Sequence, residues 1–233
     1  MRYSRRVATV LEQLAEEYPA WWVDFLGEHN HVGGAEATRW LMERAGMAPG
    51  DRMLDAGAFV GAAARYAFTH GGAAPVACDL NADFLRAGRE MEGGGGVSWV
   101  VASTHRLPFP DRAFASVWCL DSYVAPRELS RVAAMRSTLC LCCETPVDSR
   151  GGLDAFIEEW EGFGWRMKAH RAMSLEATQT WRRAEADLVR RRQVYEPRYG
   201  KRGYLGQLDL LGNMVLSYER GEMGHGLFVF ARG

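Results

Sequence analysis

From Asp51 onward the chain alternates short apolar runs with amphipathic stretches, and each apolar run closes on a polar residue or a glycine turn. DRMLDAG, PVACDL, VSWVVAS, FASVWCLD and STLCLCCET are apolar nearly throughout, the pattern of strands buried on both faces of a parallel sheet. Between them GAAARYAFTH, NADFLRAGREMEG and PRELSRVAAMR read as helices, with Asn81 placed to cap the second, and RLPFPDRA reads as a loop. Strand and helix in alternation predict an α/β, doubly wound fold, with GHGLFVFAR as a closing strand.

The two ends follow a different pattern. Residues 4–48 hold two helical stretches around the aromatic, His-bearing segment YPAWWVDFLGEHNHVGG, while SLEATQTWRRAEADLVRRRQVY reads as a long charged helix and YLGQLDLLGNMVLSYERG as a shorter one. The organisation expected is a helical cap segment over 1–48, a core over 49–173, a helical insert over 174–220 and a final strand over 221–233. There is no internal repeat, and the glycine run 93–96 is a turn too short to separate domains.

Charge narrows the partners. The 28 Lys and Arg nearly balance the 29 Asp and Glu, so a net charge of −1 provides no long-range field for nucleic acid or an anionic membrane. No run reaches the roughly 18 uncharged apolar residues of a membrane span, so the expectation is a soluble, cytoplasmic protein without a signal peptide. The five cysteines all sit in apolar runs and read as core packing. Cys142 and Cys143 are adjacent and would point to opposite faces of a strand, without the C-x-x-C spacing of a zinc site, so no metal is expected.

Ligands of doubly wound sheets bind outside the carboxyl ends of the strands, so the residues ending each run carry the candidate chemistry. The first ends in LDAGAFVG, with Asp55, Gly57 and Gly61 in a turn where backbone can approach a ligand closely; the second ends at Asp79, an acid suited to two ribose hydroxyls. The third ends at Ser103 and Thr104 and the fourth at Asp121.

This series resembles the class I S-adenosylmethionine-dependent methyltransferases, in particular the small-molecule branch of phosphoethanolamine, sarcosine and natural-product N- and O-methyltransferases. The likeness runs from about Gly33 to the C-terminus. Gly33-Gly34-Ala-Glu-Ala-Thr38 fits the family's G-G-x-x-x-T, PGDRMLDAG its PGxxVLDxG, CDLN its second-strand acid, and LPFPDRAFASVW its LPFPDxSFDxV. The resemblance implies a Rossmann-like sheet of seven strands with the N-terminal segment and late insert as a cap. S-adenosylmethionine is the implied cofactor and a small-molecule acceptor the implied partner, with a homodimer left open. Gly57 and Gly61 would lie beside the methionine part, Asp79 on the ribose, Leu80 against the adenine with Ser103 and Thr104 at its edge, and Leu120 and Asp121 on the floor where methyl group meets acceptor. Asp55 would orient the cofactor's amino group.

Three positions depart from the pattern. Phe59 stands where the second glycine of the cofactor loop falls, Ser103 replaces the acid that accepts the adenine amino group, and Ala125 replaces a His of the phosphoethanolamine enzymes. Phe59 is therefore expected either to pack on the cofactor or to block it. The departures define a rival reading, a methyltransferase-like protein that catalyses a cyclisation or rearrangement, or only binds. His31, just before Gly33, is the leading candidate for a general base, with Asp121 and Tyr123 as further catalytic candidates and Tyr3, His105 and His225 behind them. Trp21 and Trp22 read as packing, and Arg182, Arg183 and Arg190–Arg192 as a solvated helix face.

Overall fold

The apolar runs are strands because helices cover both their faces. In the computed structural model, which describes Val23 and residues 26–92, 95–147 and 152–233, they form β1 (Arg52–Ala56), β2 (Ala74–Asp79), β3 (Ser98–Val101), β4 (Phe114–Leu120) and β5 (Ala133–Thr145). Two more, β6 (Trp165–Ala172) and β7 (Gly224–Arg232), complete a seven-stranded sheet of order β3-β2-β1-β4-β5-β7-β6. The first five run parallel, and β7 is antiparallel to both neighbours. This is the Rossmann-like, doubly wound sheet expected. The candidate residues at the ends of β1 to β4 therefore lie at one end of the sheet, together with the first residues of β7.

Alternation along each strand sends side chains to two cores. On one face Met53, Trp118, Cys140, Cys142, Leu227 and Val229 pack under α1 (Gly34–Ala45), α6 (Ser174–Arg190) and α7 (Arg192–Glu219). On the other, Leu54, Val117, Cys119, Leu139, Leu141, Phe228 and Phe230 pack under α4 (Pro126–Val132) and α5 (Gly152–Gly162). Each large side chain so buried contributes roughly 1.5–3 kcal/mol, and a one-residue slip of any strand would exchange the faces, which fixes the register. Cys142 and Cys143 do divide between the faces, and all five cysteines are free and buried.

α2 (Ala62–Gly71) and α3 (Ala82–Glu92) follow β1 and β2. Asn81 caps α3 as expected, its Oδ1 accepting the Asp83 and Phe84 N–H groups at 2.9 and 3.4 Å. Elsewhere the boundaries move. The helix expected through Arg136 stops at Val132, because Ala133 pairs with Phe114 and β5 begins there through an irregularity of register. The charged helix expected through Tyr195 breaks at Arg191, whose N–H returns to Asp187 O. The shorter helix after it is part of α7, which carries Pro197 and is divided by non-helical backbone at Gly200 (φ 70°, ψ 157°). α6 and α7 fold together and bury Tyr195, Tyr204, Leu211 and Tyr218. Among the described residues no helix is long and apolar enough to cross a membrane.

Candidate active site

The order of strands reverses between β1 and β4, and the crevice outside their carboxyl ends is where this architecture takes its ligands. β1 delivers Asp55 and turns through Gly57 (φ 78°), Phe59 (φ 52°) and Gly61 (φ 68°) into α2. Gly57 needs both its backbone freedom and its missing side chain, since a Cβ there would lie 1.8 Å from Ser122 Oγ after β4. Asp55 is buried and accepts the Ala64 N–H at 3.2 Å near the start of α2. Burial pushes its pKa up to about 7.

The Asp79 carboxylate is held by backbone donors, Phe59 N–H to Oδ2 at 2.8 Å, Asn81 N–H to Oδ1 at 2.9 Å and the Leu80 N–H. Burial raises its pKa and these bonds oppose the shift. Beside it on the neighbouring strand tips, Leu80 and Val101 are 72% and 57% exposed, two apolar side chains left uncovered next to an acid. The Phe59 ring is not part of this surface. It is buried against α3, edge-on to Phe84 at 4.7 Å and packed with Val60 and Ala87. The left-handed backbone at Phe59 turns the ring into this small core and its N–H toward Asp79.

After β3, Ser103 Oγ accepts the His105 N–H at 3.3 Å, Thr104 is buried, and the exposed Tyr123 ring stacks on His105 at 4.0 Å. Ala125 precedes α4 as its N-cap residue. β4 ends with buried Leu120 and with Asp121, a non-glycine residue at φ 45°. Such backbone is costly and persists only where its surroundings enforce it.

Those surroundings are a connected polar network. Asp121 Oδ2 accepts the Val32 N–H at 2.8 Å, and Oδ1 lies 3.1 Å from His225 Nε2. The other His225 nitrogen, Nδ1, lies 3.0 Å from Tyr218 Oη, which accepts a hydrogen bond from the Trp181 indole. Burial works against charge on Asp121, but His225 and the Val32 N–H hold its pKa below the usual carboxylate value. The Cys142 thiol is 3.5 Å from Asp121 Oδ2 and 3.4 Å from His225 Nε2. Burial and the Asp121 charge raise its pKa well above the usual thiol value. These three groups converge and are bonded to one another.

His31 falls in a second network. Its Nδ1 is 3.1 Å from Val32 O and its Nε2 2.9 Å from Thr38 Oγ1, which is also 2.9 Å from His29 Nδ1. Burial lowers the pKa of both histidines, that of His29 to about 3. With both ring nitrogens engaged, His31 has no free lone pair for a substrate proton. It pins the Gly33–Thr38 turn instead, where a Cβ on Gly33 would meet Ala37 and Met173 at 2.8 Å. Tyr3, Trp21 and Trp22 lie outside the described residues.

A cavity of about 460 Å³ opens over Asp121, lined by Leu26, Asn30, Ser122, Tyr123, Val124, Cys143, Glu144, Trp181, Met214 and His225. Sequence reasoning placed Asp121 and Tyr123 here. It missed Asn30, Glu144 and Trp181, and ranked His225 behind His31. The missing information is the direction of β7: being antiparallel to β5, it sets His225 opposite Glu144 at the carboxyl end of the parallel strands.

The comparisons with known proteins agree with this geometry. The sequence profile of a methyltransferase domain matches residues 54–134. The demethylmenaquinone methyltransferase of Thermobifida fusca (strain YX) is 31% identical over 177 residues, 70% of this chain and 69% of that one. In fold, the chain superposes on a Galdieria sulphuraria protein described as a sarcosine dimethylglycine methyltransferase with TM-score 0.82 at 14% identity, covering 93% of this chain and 97% of the other. It also superposes on Haemonchus contortus phosphoethanolamine N-methyltransferase 2 in complex with S-adenosyl-L-methionine with TM-score 0.75 at 14% identity, covering 99% of this chain and 60% of that longer one. Matched in sequence over more than two thirds of a named enzyme, the chain belongs to the S-adenosylmethionine-dependent methyltransferases, with S-adenosylmethionine as its cofactor.

Proposed function

We propose that the protein methylates a nitrogen or oxygen of a small metabolite, in natural-product biosynthesis, with the adenosine berth at the tips of β1 to β3 and the acceptor in the cavity over Asp121. One observation carries the reading. Ser122 lines the cavity and also lies against Gly57 of the cofactor loop, so berth and cavity share a wall.

The residues fit the cofactor. The left-handed backbone at Gly57 and Gly61 turns the chain sharply after β1, beside which its methionine part would pass, with Asp55 behind the same turn. Asp79, fixed by backbone donors at the tip of β2, is placed to accept from the ribose, and Leu80 offers the adenine an apolar face, with Ser103 and Thr104 at its edge. When bound, the cofactor supplies a methyl group already activated on a sulfonium. The chain's own task is then to hold the acceptor lone pair in line, with Leu120 and Asp121 as floor, and to exclude water.

Titration with S-adenosylhomocysteine, read by calorimetry and thermal shift, tests this. The protein is expected to bind and gain thermal stability with ligand concentration. No heat and no shift at millimolar ligand would remove the reading.

A further inference from the structure

We infer that the acceptor is an amine that enters the cavity as a cation, on an apolar or aromatic body without phosphate or carboxylate; the inference rests on methyl transfer at the site above. The first support is the sign of the polar wall. Asp121 and Glu144 both line the cavity, and among the described residues no Lys or Arg does. Glu144 makes no hydrogen bond or ion pair among the described residues; burial and the Asp121 charge raise its pKa, and the nearby His225 opposes that shift. His225 cannot reverse the sign: neutral, it leaves two negative charges, and protonated, it leaves one. An acidic acceptor would meet like charge, with no cation among the described lining residues to receive it.

The second support is independent of charge. Asn30 Oδ1 is buried in the cavity wall with no hydrogen-bond partner among the described residues. Its residue is fixed in the left-handed region at φ 49°, which aims the side chain. A buried acceptor without a donor is unusual, and a ligand N–H relieves it. Ammonium carries donors only, as this wall of oxygens requires. The rest of the cavity, Leu26, Val124, Met214 and the rings of Tyr123 and Trp181, suits an apolar body and a cation over an aromatic face.

The chemistry follows from the same placement. The bound ammonium gives one proton to the Glu144 carboxylate at the rim, which passes it to water. The neutral nitrogen then uses its lone pair to form the N–C bond while the S–C bond breaks and leaves its electrons on sulfur. With the cofactor held in the berth, positive charge would pass to the acceptor nitrogen, and Asp121 and Glu144 in the cavity wall would stabilise it there.

The test is calorimetric titration of protein saturated with S-adenosylhomocysteine, whose own binding is measured first, with three probes of one shape: phenethylamine, 2-phenylethanol and 3-phenylpropionate. The amine is expected to bind at least tenfold tighter than the alcohol, and the acid to give no heat. Glu144→Gln should cut the preference for amine over alcohol at least fivefold, and Asn30→Gly, which keeps the backbone conformation, should weaken the amine severalfold, with S-adenosylhomocysteine binding unchanged in both. Alcohol or acid binding as tightly as the amine overturns the inference, as does no heat from the amine at millimolar concentration. Failure of S-adenosylhomocysteine itself to bind strikes the methyl-transfer reading instead, and the amine preference is then read on the free protein by the same criteria.

Discussion

Replacing Phe59 with Gly separates a ring that builds the cofactor loop from a ring that obstructs it. The ring is 4% exposed and packs on Phe84, Val60 and Ala87. Truncating a buried Phe costs about 3–5 kcal/mol, and this small cluster near the surface belongs at the lower end. Against that, Phe59 sits at φ 52°, and Gly relieves about 1 kcal/mol of backbone strain. The net expectation is a loss of about 2 kcal/mol, or a fall in Tm of roughly 4–8 °C for a domain of this size. Cofactor affinity should stay within about threefold, because the contact that matters to Asp79 is made by the backbone N–H, which Gly retains. Urea unfolding gives the first quantity and calorimetry with S-adenosylhomocysteine the second. An affinity gain above about tenfold with stability unchanged would refute the reasoning, since only a plug behaves so.

Asp55 sets a pH dependence. Its folded-state pKa of about 7 lies above the ordinary 3.8, so between those values the folded state holds a proton that the unfolded state has lost, and stability falls as pH rises. From pH 5 to 8 this amounts to about 2.5 kcal/mol, which Asp55→Asn should remove; equal pH slopes of stability in variant and parent would show the assignment wrong. His225→Ala leaves the Asp121 carboxylate short of its main partner and should cost about 3 kcal/mol. Tyr218→Phe, which removes the hydroxyl shared by His225 and the Trp181 indole, should cost about 2 kcal/mol. A larger loss from Tyr218→Phe than from His225→Ala in denaturant melts would mean that the network is not organised around Asp121.

The parallel half of the sheet was legible because strands covered on both faces are apolar without interruption, and their ends then mark the crevice. β6 was not. WRMKAHRA is an edge strand, and charges such as Arg166 and Lys168 that protect an edge from further pairing also hide it from an apolar pattern. The acceptor side of the site was hidden for a topological reason. His225 and Glu144 are far apart in the chain and meet only because β7 runs antiparallel to β5. Phe59 shows the limit of reading a motif by residue type: an aromatic in a glycine loop signals obstruction until the sign of its φ shows where the ring goes.

The account stands most directly on a crystal structure of the protein with S-adenosylhomocysteine. It predicts the ribose hydroxyls within hydrogen-bond distance of Asp79, the adenine over Leu80, the sulfur facing the cavity above Asp121, and the Phe59 ring still packed on Phe84. Nucleoside density away from the tips of β1 and β2, or the Phe59 ring swung across them in its place, would contradict it.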